Sequence, residues 1–179
     1  MDGAAGVGRA DRRPVWLLDV DGVINAIGRV GWDGPPRIGR AHDGASAYAM
    51  QWAPQLIAGI RALLPRVDVR WASSWIDVGT DQLETLFGLP PLPVAYPADP
   101  ERRVFPALFA AAHARAKTDA AVDVVRAGRR LIWTDDDAIP AAGADRALLD
   151  AAGSLLIVPD RRHGMLPEHL ERIRDYVTG

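Results

Sequence analysis

Two pairs of carboxylates each follow a short apolar segment of the chain. Asp19 and Asp21 end the segment VWLLDVD, and Asp135 and Asp136 follow RLIWT. Two like unit charges about 4 Å apart repel by roughly 4 kcal/mol at an effective dielectric constant of 20, so such a cluster needs a balancing cation. Mg²⁺ takes oxygen ligands and suits a site with few carboxylates, several waters and a phosphate. We therefore predict a magnesium site formed by Asp19, Asp21, Asp135 and Asp136.

Three further polar residues extend this set. Ser73 and Ser74 follow a second apolar segment, VDVRWA, and Lys117 is the only lysine among 21 basic residues. An ammonium group is a compact charge with rotatable donors, unlike a planar guanidinium. Its retention in an arginine-rich chain indicates a specific requirement. We predict that Ser73 or Ser74, with Ser73 preferred, and Lys117 bind the oxygens of a phosphate group.

The spacing of Asp19 and Asp21 indicates a division of labour. Residues two apart in a strand lie on the same side, so both carboxylates can face one substrate. We expect Asp19 to attack phosphorus and form an aspartyl-phosphate. Asp21 would first protonate the leaving oxygen and then activate the water that hydrolyses the intermediate. The predicted activity is a magnesium-dependent phosphohydrolase.

These residues also have purely structural interpretations. Asp-Gly is a common turn dipeptide, an acidic run such as Asp135–Asp137 is favoured at a helix N-terminus, and an arbitrary lysine is usually solvated. The site interpretation is preferred because all the polar groups follow or precede strands of one predicted sheet. The tryptophans could likewise frame a nucleobase pocket, although packing is their commoner role. This possibility concerns Trp32, Trp52, Trp71 and Trp75.

Apolar segments alternate with amphipathic ones along the chain, which predicts an α/β fold with a doubly wound parallel sheet. In such folds ligands bind at the carboxyl ends of the strands. The predicted strands are 15–20, 67–72, 93–96, 130–134 and 154–158, and the predicted helices are 54–64, 81–87, 105–127, 144–152 and 167–177. The fold class is thus a three-layer α/β/α domain with a five-stranded sheet.

The Gly- and Pro-rich segment from Gly22 to about Gln51 predicts a loop or hairpin flap rather than a domain. The segment between Ser74 and Lys117 has close to the length of an ordinary crossover connection. We therefore expect residues 1–179 to form a single domain without a cap. A site that is not enclosed by a cap admits bulky substrates.

Four segments carry a family resemblance. LLDVDGVIN, WASSW, AKTDAAV and LIWTDDD resemble, in order, the four motifs of the haloacid dehalogenase-like (HAD) superfamily. WASSW, GLPPLPV, AKT and the tail VPDRRHGMLPEHLERI are similar to a capless bacterial branch, the phosphatase-like domain of RNA-repair proteins. The chain departs from this pattern at Leu166, where a capping threonine is usual, and at Ser73-Ser74, where threonine is commoner.

The resemblance implies a Rossmann-like fold, a Mg²⁺ cofactor and a phosphorylated substrate, with a nucleic-acid end as one candidate. It implies Asp19 as nucleophile, Asp21 as acid/base and as a metal ligand through its backbone carbonyl, and Asp135 with Asp136 on the metal side. Ser73 and Lys117 are the implied phosphate ligands. Two alternatives stay open: a phosphatase of small metabolites, whose flap gives specificity, and a phosphate-binding domain without turnover.

Composition narrows the remaining possibilities. The formal charge is -2 and no polybasic run is present, so bulk attraction to nucleic acid or membrane is not expected. The chain has no cysteine, which excludes disulfides and thiolate chemistry. No segment approaches the roughly 20 apolar residues of a membrane helix. We expect a cytoplasmic protein without an evident obligate protein partner, whose scattered histidines are surface or capping residues.

Overall fold

The computed structural model describes residues 13–99 and 106–179 and shows a mixed α/β chain. In chain order the elements are β1 (Val15–Leu18), β2 (Arg37–His42), β3 (Ala47–Trp52), α1 (Pro54–Leu63), β4 (Asp68–Trp71), a 3₁₀ turn (Ser74–Val78), α2 (Asp81–Phe87), α3 (Pro106–Arg126), β5 (Leu131–Thr134), α4 (Ala144–Ala151), β6 (Leu155–Ile157) and α5 (Pro167–Thr178). Four of the strands form a parallel sheet flanked by helices.

The sheet has the strand order β4-β1-β5-β6, so β1 is central. Its last residue, Leu18, pairs with Trp71 of β4 and with Thr134 of β5. Both β1 and β5 are fully buried, which explains why their sequences are continuously apolar rather than alternating. Because the strands are parallel and in register, the residues after β1, β4 and β5 meet at one edge.

Segment 93–96, predicted as the fifth strand of the sheet, does not form an extended strand. It is reduced to a single parallel bridge between Val94 and Trp71. The Trp71 N–H donates to the Pro93 carbonyl, and the Ala95 N–H donates to the Trp71 carbonyl. Prolines at 90, 91, 93 and 97 lack the N–H groups that would continue a ladder.

The predicted flap forms a hairpin, and the remaining predicted elements are confirmed within about two residues at each end. Strands β2 and β3 pair antiparallel from Arg37 opposite Trp52 to His42 opposite Ala47. The side chain of Gln82 on α2 exchanges two hydrogen bonds of 2.7 Å with the backbone of His42. These contacts hold the end of the hairpin beside α2. The predicted start of α3, Phe105, lies outside the described residues.

The N-terminus of α5 is capped by a histidine. Leu166 at the N-cap has no polar side chain, but its N–H donates to Nδ1 of His169 at 3.1 Å. The expectation that a histidine serves as a cap is therefore confirmed for His169. Burial lowers its pKa, as does Arg172, while Glu168 acts in the opposite direction. The neutral ring is the form that accepts this hydrogen bond.

A pH-dependent contribution to stability follows from this cap. Because the pKa of His169 is lowered on folding, the contribution is present above pH 6.5 and is lost as the pH falls through the folded-state pKa. We expect His169→Ala to lower the free energy of unfolding by roughly 0.5 to 1 kcal/mol at pH 7. Urea titrations at pH 7 and pH 5 measure the difference, which should shrink at pH 5. An equal loss at both pH values would contradict the proposed capping role.

Among the described residues, none of the helices combines the length and the hydrophobicity needed to cross a membrane.

Candidate acidic site at the carboxyl edge of the sheet

Asp19 and Asp135 are brought together by the pairing of β1 with β5. Leu18 lies opposite Thr134, and the Asp19 N–H donates to the Thr134 carbonyl at 3.1 Å. The next residue on each strand is therefore an aspartate, and both are buried, at 4% and 0% exposure. The sequence order of strand, then carboxylate, thus places two acids side by side at the sheet edge.

Lys117 on α3 bridges these two acids. Its Nζ lies 2.7 Å from Asp19 Oδ2 and 2.7 Å from Asp135 Oδ2. Lys117 is only 5% exposed, so the alternative interpretation of it as a solvated helix residue is wrong. The Asp19 and Asp135 carboxylates also accept backbone N–H groups, at 2.7 Å from Val20 and at 2.8 Å from Ala138. Each carboxylate is therefore held in one orientation, with its charge opposed by one shared ammonium.

One ammonium does not balance all of the acids. Burial raises the pKa of Asp19 to about 7, and the nearby Asp135 adds to this, although Lys117 opposes it. Burial also raises the pKa of Asp136 to about 6, with further contributions from Asp137 and Asp135. Burial alone would lower the pKa of Lys117, but Asp19 and Asp135 together raise it, so the ammonium keeps its proton. The site retains a surplus of acidic groups that a further cation would stabilise in their charged form.

Asp19, Asp135 and Asp136 fit a hard divalent cation. One carboxylate oxygen from each lies within 4.8 Å of the others, and all three donors are of the oxygen type that Mg²⁺ takes. The Asp136 carboxylate also lies 3.7 Å from Nε of Arg161. The side chain of Asp21 is not part of this cluster, so it is not among the carboxylates that the geometry assembles.

The absence of a side chain at Gly22 makes room for the carboxylate of Asp136. Gly22 has φ +76°, and a Cβ atom at this position would lie 2.4 Å from Cγ of Asp136. Glycine is needed here both for the left-handed backbone and for the close approach of the carboxylate.

We expect Gly22→Ala to displace Asp136 and weaken magnesium binding by roughly tenfold, a loss of about 1.4 kcal/mol. Isothermal titration with MgCl₂ measures it. Gly128→Ala is the matched control, since Gly128 also has positive φ but no atom within 4 Å of the added Cβ. Equal magnesium affinity in Gly22→Ala and Gly128→Ala would show that Asp136 is not a ligand.

Asp21 stands beside the cluster with different partners. Its Oδ1 accepts from Nδ2 of Asn25 at 2.7 Å, and its Oδ2 accepts from Nε1 of Trp75 at 2.8 Å. Asn25 Oδ1 in turn accepts the Gln51 N–H of β3 at 2.9 Å. Two neutral donors thus hold the Asp21 carboxylate in one orientation.

The two serines differ in position. Ser74 is half-buried and lines a cavity of about 150 Å³ together with Asp19, Asp21 and Lys117. Ser73 is buried, and its Oγ has no hydrogen-bond partner among the described residues. The geometry places Ser74 rather than Ser73 on the cavity wall, opposite to the preference drawn from the sequence.

Several residues of the site had no assigned role in the sequence. Arg161, His113 and Phe109 line the cavity, and Asn25 orients Asp21. Of the tryptophans, Trp75 contacts the site, whereas Trp52 and Trp71 are core residues and Trp32 donates to the Met165 carbonyl. His113 is buried rather than at the surface, with Nε2 3.2 Å from Asp77 Oδ2. In the sequence, His113 stands four residues before Lys117, about one helical turn away, and this spacing is a signal that could have placed it near the site.

No protein-family model, no curated protein and no solved structure matches this chain.

Proposed function

We propose that the chain is a magnesium-dependent phosphomonoesterase that acts through an aspartyl-phosphate on Asp19. The observation that carries the proposal is the buried Asp19 carboxylate, which lies 2.7 Å from the Lys117 ammonium with Asp21 two residues away. Asp19, Lys117 and Asp21 line one cavity. The proposed nucleophile, the cation for phosphate oxygens and the acid/base group can therefore reach the same substrate. We propose a three-layer HAD-type domain without a cap, because LLDVDGVIN, WASSW, AKTDAAV and LIWTDDD resemble the four motifs of that superfamily.

In the first step an Asp19 oxygen attacks phosphorus, and the bond from phosphorus to the alcohol oxygen breaks. Asp21 donates its proton to that oxygen as the alcohol leaves. In the second step Asp21 accepts a proton from water, the water oxygen attacks phosphorus, and the bond to Asp19 breaks. Asp19 is regenerated and inorganic phosphate is released. Asn25 and Trp75 keep the Asp21 carboxylate in place through both steps.

The charged phosphoryl oxygens are bound by Lys117, Ser74 and Arg161. Lys117 supplies a fixed ammonium, and Ser74 lies on the cavity wall where its hydroxyl can donate. Asp19, Asp135 and Asp136, with the Asp21 carbonyl implied by the motif, would hold Mg²⁺. When bound, the cation offsets the repulsion between the Asp19 carboxylate and an anionic phosphate.

Hydrolysis of 4-nitrophenyl phosphate with and without MgCl₂ tests the proposal. We expect release of phosphate that EDTA abolishes and that Asp21→Asn lowers by about 10² to 10⁴-fold. Because a phenolate leaves easily, the loss should fall on the second step, and phosphorylated protein should accumulate in the variant. Magnesium-independent release, or an Asp21→Asn variant as active as the native chain, would contradict the assignment.

The substrate has two candidate classes. A site without a cap accepts a nucleic-acid end, as the motif resemblance implies. The hairpin favours the second class, a small phosphorylated metabolite, because Tyr48 of β3 packs on Trp75 beside Asp21 and walls the site. Saturation by micromolar nucleotide or sugar monophosphates would favour the small substrate, whereas selective turnover of oligonucleotide 3′-phosphates would favour the nucleic-acid end.

A further inference from the structure

A second cavity, of about 190 Å³, adjoins the acidic site. It shares Asp21, Ser74 and Phe109 with the cavity that contains Asp19 and Lys117. Asp21 therefore stands between the two. If phosphate binds beside Asp19, as the proposed function on which this inference rests requires, then the alcohol part of the substrate extends past Asp21 into the second cavity.

Aromatic rings from three separate parts of the chain form the walls of the second cavity. Tyr48 comes from β3, Trp75 from the 3₁₀ turn and Phe109 from α3. The rings of Tyr48 and Trp75 meet edge to face, with centroids 5.7 Å apart and planes at 89°. Aromatic walls of this kind favour a flat aromatic partner, since ring pairs gain energy beyond the area they bury.

Hydrogen bonds hold this aromatic wall in place. The Trp75 indole donates to Asp21 Oδ2 at 2.8 Å, and the Tyr48 hydroxyl donates to Asp43 Oδ2 at 3.0 Å. Asp43 also accepts the N–H groups of Ala45 and Ser46, which fixes its carboxylate. Tyr48 nevertheless stays 45% exposed while it lines the cavity. A ligand ring would cover it without requiring the wall to rearrange.

The charge of the second cavity restricts its occupant. Its described lining includes the carboxylates Asp21 and Asp43 and contains no lysine or arginine. A second phosphate or a carboxylate would be repelled by Asp21, whereas a neutral ring would not. This contrasts with the first cavity, where Lys117 and Arg161 are present.

We propose that the second cavity binds an uncharged planar aromatic ring in the alcohol part of the substrate, and that Tyr48 and Trp75 determine this specificity. The ring can be joined to phosphate directly, as in a phenol ester, or through a sugar, as in a nucleoside monophosphate. Both sources share the chemistry that the cavity recognises.

The test is binding of phenylphosphonate and cyclohexylphosphonate to the native chain with MgCl₂, measured by titration calorimetry beside inorganic phosphate. The two phosphonates differ in ring planarity, so leaving-group chemistry does not enter. We expect phenylphosphonate to bind roughly three- to tenfold more tightly than the saturated analogue. Tyr48→Ala should weaken phenylphosphonate binding by about tenfold. Tyr48→Phe should retain most of the affinity because it keeps the ring.

Ile38→Ala is the matched control, because Ile38 lies on the same hairpin and is 76% exposed outside this cavity. It should leave the preference for the planar ring unchanged. Inorganic phosphate binding with no preference between the two phosphonates, together with no effect of Tyr48→Ala on the binding of adenosine 3′-monophosphate, would overturn the inference and leave the proposed function standing. Failure of phosphate and both phosphonates to bind would overturn both.

Titrations of the Asp19→Asn variant, which should bind esters without turnover, distinguish a nucleobase from the ring of a phenol ester. Adenosine 3′-monophosphate and phenyl phosphate are titrated in parallel, each with and without Tyr48→Ala. A loss on Tyr48→Ala confined to the nucleotide identifies a nucleobase, and a loss confined to phenyl phosphate identifies a phenol ester. No loss with either ester would overturn the role of Tyr48.

Discussion

Asp19→Asn should reduce magnesium-dependent phosphate release by on the order of 10⁴-fold or more, because an amide cannot form the aspartyl-phosphate. The substitution keeps the size of the side chain, and Lys117 keeps its ion pair with Asp135 at 2.7 Å. The fold should therefore persist. Steady-state release of 4-nitrophenol measures the rate, and circular dichroism checks the fold.

Asp150→Asn is the matched control for this loss. Asp150 lies on α4, pairs with Arg146 and has a side chain 55% exposed, so the same charge is removed away from the site. Its rate should stay within about twofold of native, since surface pairs of this kind contribute little. Rates retained by Asp19→Asn would show that another residue attacks phosphorus.

Lys117→Met should have the largest effect on stability. It leaves Asp19 and Asp135 buried without the ammonium that lies 2.7 Å from each. Removing one partner of a buried ion pair typically costs about 3 to 5 kcal/mol, since the remaining charges are uncompensated. Urea denaturation at pH 7 measures the loss, and phosphate release should fall in parallel because a fixed phosphate ligand is missing.

The effect of MgCl₂ on the urea midpoint shows whether Lys117→Met is destabilised by unbalanced charge or by loss of packing. If unbalanced carboxylates cause the loss, MgCl₂ should raise the urea midpoint of Lys117→Met by more than that of the native chain. Arg115→Met, on the exposed face of the same helix, should leave the urea midpoint nearly unchanged. A Lys117→Met variant as stable as Arg115→Met would contradict the central place of this ion pair.

Most of the fold could be predicted because its signals are local. The apolar segments of β1, β4, β5 and β6 and the amphipathic helices are set by periodicity, and the structure has them in the predicted order. The fifth strand was not predictable in this way. Segment 93–96 has an apolar pattern, but the prolines around it remove the donors that a ladder needs.

Lys117 stood out in the sequence as the only lysine, and the proximity of Asp19 and Asp135 could be predicted from topology, since parallel strands bring their carboxyl ends to one edge. Which serine faces the cavity could not, because Ser73 and Ser74 are adjacent and the backbone after β4 decides their directions. The hydrogen bonds that Asn25 and Trp75 donate to Asp21 could not be predicted either. Their contacts with Asp21 depend on the turn after β1 and on a side chain 54 residues further along the chain.

Detection of the covalent intermediate tests the proposed mechanism most directly. Native protein and Asp21→Asn are mixed with 4-nitrophenyl phosphate and MgCl₂, quenched in acid within the first turnover, digested and analysed by mass spectrometry. We expect an acyl phosphate on Asp19 that is sensitive to hydroxylamine and more abundant in Asp21→Asn. Turnover with phosphate on another side chain, or with no covalent phosphate in either protein, would contradict the proposed mechanism.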